Sequence, residues 1–152
     1  MRKFNSPSSG VTGRYCTDLD VNGDVTTSDG AVLEADNLHI TADNADLTTN
    51  VKDLSGNVTG SISVTDKGSI TVTGTLTAGE EVSIQAAENG NITVSGIIHA
   101  ANTFLRGAAK IIVTVKDTMG NLGVETSDRE DSSADIKLES CDRSQDINIT
   151  TP

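Results

Sequence analysis

Aromatic residues are nearly missing from this chain: 152 residues contain no Trp, one Tyr and two Phe. Aromatic rings normally fill the wide spaces of a globular core, so their scarcity predicts a thin interior of Val, Ile, Leu and Ala. Apolar residues make up 35%, below the roughly 45–50% of ordinary soluble domains. Regularly spaced Val and Ile nonetheless argue against disorder. Basic residues are also few, 11 Lys and Arg against 22 Asp and Glu, for a net charge of −11. Nucleic-acid and anionic-lipid binding both need clustered cations, so neither partner is expected. No apolar run approaches the roughly 20 residues that span a bilayer, and no membrane insertion is expected. The opening Met1-Arg-Lys-Phe carries basic residues without an apolar stretch, so it does not read as a signal peptide.

Thr and Gly are abundant, at 20 and 14 residues. They are concentrated in a repeated phrase. Gly68-Ser-Ile-Thr-Val-Thr-Gly-Thr-Leu-Thr-Ala78 returns 22 residues later as Gly90-Asn-Ile-Thr-Val-Ser-Gly-Ile-Ile-His-Ala100. Each copy is two short alternating strands broken by a glycine. Such a unit is too small to bury its own apolar face and becomes stable only by stacking on its neighbours. Gly30, Val32, Leu38, Ile40 and Ala42 precede Gly74, Leu76, Val82, Ile84 and Ala86 by 44 residues, twice the repeat. Ile62 and Val64 fall where the intervening coil would place apolar residues. The breaks fall on Gly, Asn and Asp, which supply corner conformations.

These features predict an all-β chain: a single right-handed parallel β-helix, or β-solenoid, of about five to six coils with no substantial helix. Residues 1–15 read as a flexible leader and 16–152 as the solenoid, whose C-terminal coil is irregular, with a loop at about 126–133. Ala100–Ala109 reads as loop or strand. The expected core includes Ile70, Val72, Leu76, Val82, Ile84, Ile92, Val94 and Ile98. Cys16 and Cys141 would then lie some five coils apart, roughly 25 Å at about 4.8 Å per coil. A disulfide needs Cα atoms within about 7 Å, so the alternatives are two free thiols or an intermolecular disulfide joining neighbouring molecules end to end.

Ile70-Thr-Val-Thr-Gly-Thr-Leu-Thr-Ala-Gly-Glu-Glu-Val-Ser-Ile-Gln-Ala86 resembles the shaft repeats of filamentous haemagglutinin-like bacterial adhesins. Those coils combine an alternating strand, a Gly-Thr-Leu-x-Ala-Gly turn and an alternating Val-x-Ile-x-Ala strand. The resemblance covers roughly residues 30–100. It implies a secreted or cell-surface shaft, with a host or cell-surface receptor as a partner, and it carries over no catalytic residue.

Residues with chemical potential are sparse. Asp20, Asn22 and Asp24 have the spacing that opens an EF-type calcium loop, but Val25 replaces the required Gly and Ala31 the closing carboxylate. Solvated outward side chains on a strand are the preferred reading and calcium at these three residues the weaker alternative, so no cofactor is expected. Asp128, Glu130 and Asp131 read as a solvated loop. His39 and His99 alternate outward and lack ligand partners at metal spacing. No phosphate-binding, dinucleotide or nucleophile-elbow motif is present. The expected function is therefore non-enzymatic: an extracellular or cell-surface β-solenoid acting as an adhesin shaft or spacer. The alternative is an extracellular filament subunit stacking end to end through open β-edges, which pair readily with another chain. A polysaccharide-active enzyme is the weaker reading, because the basic residues Lys67, Arg106, Lys110 and Lys116 are scattered and no aromatic sugar platform is evident. The partners to expect are further copies of the chain or a larger parent polypeptide.

Overall fold

A computed structural model describes residues 2–4, 12–27, 30–115, 119–138 and 147–151. Alternating apolar and polar residues form strands of 3 to 15 residues, and the strands pair in parallel. The 16 strands among the described residues stack as a β-solenoid of about 6 turns with almost no helix. One row of the stack runs through β1 (Arg2–Phe4), β3 (Asp24–Thr27), the start of β5 (Asn44–Val58) and β6 (Ile62–Asp66). It continues through β9 (Glu81–Gln85), β12 (Asn102–Arg106), β14 (Asn121–Glu125) and β16 (Ile147–Thr150). A second row carries β2 (Thr12–Asp20), β4 (Leu33–Ala42), the later part of β5, β7 (Ile70–Val72), β10 (Asn91–Val94), β13 (Lys110–Val115) and β15 (Ser133–Leu138). β8 (Thr75–Ala78) and β11 (Ile97–His99) add a third row above the end of β5.

Parallel register places like upon like. Ile70, Ile92, Ile111 and Ala134 form one inward column, and Val72, Val94, Val113 and Ile136 form the next. Ile84, Leu105, Val124 and Ile149 form another. All eight core residues expected from the sequence are buried. At roughly 25 cal/mol per Å2 of apolar surface removed from water, this continuous aliphatic column replaces the wide aromatic core that the composition lacks. Thr103 stands in the column of Val82 and Leu122, fully buried, and its hydroxyl donates to the carbonyl of Met119 at 2.8 Å.

The register corrects the 44-residue frame. Ile70 pairs with Ile92, 22 residues on, but Leu33 pairs with Thr49 at 16 residues and Leu122 with Ile147 at 25. Ile40 leads through Gly56 to Leu76, not to Ile84, while Ile62 lies between Ala45 and Val82. Corners absorb the variable lengths. What must be preserved is the parity of each strand, because a one-residue slip turns its apolar side chains outward.

The chain also enters the stack earlier than expected. Arg2–Phe4 pair with Val25–Thr27, and Thr12 and Gly13 pair with Glu34 and Ala35. Part of the expected 1–15 leader thus carries ladder hydrogen bonds, and residues 5–11 lie outside the described residues. Ala100–Ala109 contains a strand, β12. Residues 126–132 connect β14 to β15 without strand structure.

Gly56 separates Ile40 from Leu76 in the stack. Its φ is +150°, and a Cβ there would overlap the backbone carbonyl of Ile40. Gly74, within the repeated phrase, has nothing within 4 Å of the same virtual atom. Gly56→Ala is therefore expected to cost about 2–4 kcal/mol through strain and displaced backbone, against less than about 1 kcal/mol for Gly74→Ala. Urea unfolding of the two variants reads the difference; equal midpoints would contradict this account of the close backbone approach at Gly56.

Candidate functional site

The sequence-derived candidates fall at separate places. Asp20 ends β2 beside Thr41, and Asn22 is exposed in the turn that follows. Asp24 is tied into a corner ladder. Its Oδ1 accepts from Asn44 Nδ2 at 2.8 Å, Asn44 Oδ1 accepts from the Ser61 amide at 2.9 Å, and the Ser61 hydroxyl donates to Glu80 Oε2 at 3.3 Å. These side chains link successive coils, which gives Asp24 a structural occupation. His39 and His99 are both exposed, and His39 Nδ1 lies 3.0 Å from Ser55 Oγ.

Arg129 and Asp131 pair with each other in the 126–132 connection, at 3.1 Å. The hydrogen bond and the guanidinium charge hold the Asp131 carboxyl below its ordinary range, and the carboxylate raises Arg129 in turn. Among the described residues no three His, Cys, Asp or Glu come together as a metal-binding group. The Cys16 backbone pairs with Asn37, whereas Cys141 lies outside the described residues. Among those residues, no helix is long and apolar enough to cross a membrane.

Two functional-looking residues escaped the sequence reading. Asp66 occupies an inward position with only 2% exposure. Its Oδ2 accepts from Thr49 Oγ1 at 2.7 Å and the Val51 amide at 2.9 Å, and its Oδ1 accepts from the Gly68 amide at 2.9 Å. The Ile62-x-Val64-x-Asp66 alternation signals the inward position, but burying a carboxylate is costly unless donors surround it, and two of the three donors, Thr49 and Val51, come from the neighbouring coil.

The second is Phe104, which faces outward between the buried Thr103 and Leu105. It pairs with Ser83 on one side and Gly123 on the other. Aligning Thr103-x-Leu105 with Val82-x-Ile84, 21 residues earlier, would have found it; the 22-residue frame hides it. The ring leans over Gly123, where a Cβ would stand 2.7 Å from Phe104 Cδ1. The Arg106 guanidinium carbon sits 5.8 Å from the ring centroid. A hollow of about 270 Å3 opens here, lined by Phe104, Arg106, Gly123, Glu125, Asn148 and Thr150 among others.

At the C-terminal end of the stack the inward columns reach solvent. Ile149 is 48% exposed although Val124, Leu105 and Ile84, earlier in its column, are buried. Among the described residues, β15 and β16 pair on one side only.

The fold thus defines the class, an all-β parallel solenoid. No protein-family model, curated protein or solved structure matches the chain.

Proposed function

We propose that this chain is a non-enzymatic structural solenoid, secreted or displayed at a cell surface, that serves as a shaft or spacer like those of filamentous haemagglutinin-like adhesins. The observation that supports it is the continuous parallel register of the first row: inward columns such as Val25–Ala45–Ile62–Val82–Thr103–Leu122–Ile147 run from coil to coil along the axis. In the first two rows each strand between the ends is hydrogen-bonded on both sides, so a pull along the axis is shared by many backbone bonds. A receptor-binding partner would be held at a fixed distance from its anchor.

The test places the chain between two globular reporter domains. About 6 turns at roughly 4.8 Å each give a stack of about 30 Å. Small-angle scattering is expected to show one narrow interdomain separation. A broad distribution typical of a flexible linker would overturn the spacer reading.

A second reading, end-to-end assembly into a filament, is favoured by the exposed Ile149 and by the one-sided pairing of β15 and β16 among the described residues. Sedimentation of the isolated chain separates the two, since concentration-dependent growth belongs only to the filament.

A further inference from the structure

The outward surface of the first row is built from small polar residues until it meets Phe104. Thr26, Asp46, Ser63 and Ser83 lead in register to Phe104, Gly123 and Asn148. The neighbouring outward column runs Thr65, Gln85, Arg106, Glu125 and Thr150. Arg106 and Glu125 are therefore direct cross-strand neighbours, an arrangement in which opposite charges ordinarily join. Here they do not: the ion pairs among the described residues are Lys52–Asp36 and Arg129–Asp131. Arg106 instead lies over the Phe104 ring. A donor-only guanidinium and an acceptor-only carboxylate thus flank the hollow beside a half-buried ring, with an amide at Asn148 and a hydroxyl at Thr150 across it. A second hollow of about 340 Å3 shares Arg106 and Glu125 and extends toward Gln85, Glu88 and Asp128.

We propose that this lateral groove binds a neutral saccharide. A pyranose presents an apolar C–H face that packs on an aromatic ring, and a rim of hydroxyls that both donate and accept. Adjacent hydroxyls can accept from Arg106 while donating to Glu125, which satisfies two groups that do not satisfy each other. Gln85 and Asn148 offer further planar amides along the same groove, the mixture of apolar floor and few polar groups that small-ligand sites use. Charge selects among sugars. Glu88, Glu125 and Asp128 border the groove and the chain carries −11 overall, so uronates and sulfated glycans are repelled. This site is independent of the spacer reading: a chain that fails as a rigid spacer could still bind sugar, and the reverse.

Affinity electrophoresis of the full chain tests it, in gels containing soluble neutral polysaccharides (galactomannan, xyloglucan, mixed-linkage β-glucan) or polygalacturonate. Retardation is expected in at least one neutral gel and none in polygalacturonate. Because the ring also fills the space above Gly123, Phe104→Ala is paired with Arg106→Gln and Glu125→Gln, which change exposed groups only, and thermal unfolding confirms that each variant is folded. Each folded variant is expected to bind at least tenfold more weakly, whereas Thr71→Ala on the second row retains full binding. Absence of retardation in all neutral gels overturns the proposal. So does retardation by polygalacturonate alone, or unchanged binding in Arg106→Gln and Glu125→Gln.

Discussion

Replacing Ile92 with aspartate is expected to abolish cooperative folding or to lower the unfolding midpoint by at least 10 °C. Ile92 is fully buried between Ile70 and Ile111 in its column. The substitution removes an aliphatic side chain whose burial contributes about 1.5–3 kcal/mol. It also places a carboxyl group where every described neighbour in the column is a hydrocarbon, and an unpartnered buried polar group costs further kcal/mol even if it takes up a proton. A combined loss of about 5 kcal/mol consumes much of the roughly 5–15 kcal/mol that stabilises a typical domain. At about 2–4 °C per kcal/mol for a chain of this size, the shift is 10 °C or more. The adjacent Thr93 is half-buried and faces outward between Thr71 and Ile112. Thr93→Asp is expected to move the midpoint by only a few degrees. Calorimetry on the pair checks the assignment of faces; a larger loss for Thr93→Asp would refute it.

Removing the buried carboxylate of Asp66 is the second large effect. Asp66→Ala strands the Thr49 hydroxyl and the amides of Val51 and Gly68, all three of which donate to it. Unsatisfied buried donors cost about 1–3 kcal/mol each, so a loss of about 3–6 kcal/mol is expected. Asp66→Asn retains acceptor capacity on one oxygen but directs an amide at a donor, and is expected to fall between Ala and the wild type. Urea unfolding gives the totals. Hydrogen exchange at the Val51 and Gly68 amides localises the damage to this corner and should accelerate first in Asp66→Ala. An alanine variant as stable as the parent would show that the three bonds contribute nothing net.

The two residues illustrate how far the sequence could be read. Ile92 is recognisable as core because Ile-Thr-Val alternates and because the same phrase stands at Ile70–Val72. Asp66 follows the same alternation, but what makes its burial tolerable is a hydroxyl from Thr49 and an amide from Val51, on a neighbouring coil. Phe104 was missed for a related reason. Its inward neighbours, Thr103 and Leu105, align with Val82 and Ile84 at 21 residues rather than 22, so the repeat frame broke where the outward aromatic begins. Arg106, scattered when viewed along the chain, lies beside Glu125 once β12 and β14 pair.

The sequence by itself determined that the chain is all-β, that its strands alternate, and that units too small to bury themselves must stack. Those properties follow from side-chain parity and from the positions of Gly, Asn and Asp, both local. The tertiary structure alone decided the length of each coil, the entry of Arg2–Phe4 into the stack, the donors around Asp66 and the grouping of Phe104, Arg106 and Glu125. Corner lengths vary without changing strand parity, so one-dimensional spacing does not specify which residues become neighbours along the axis. Parallel pairing does specify it, and the chemistry of the lateral groove arises from those neighbours.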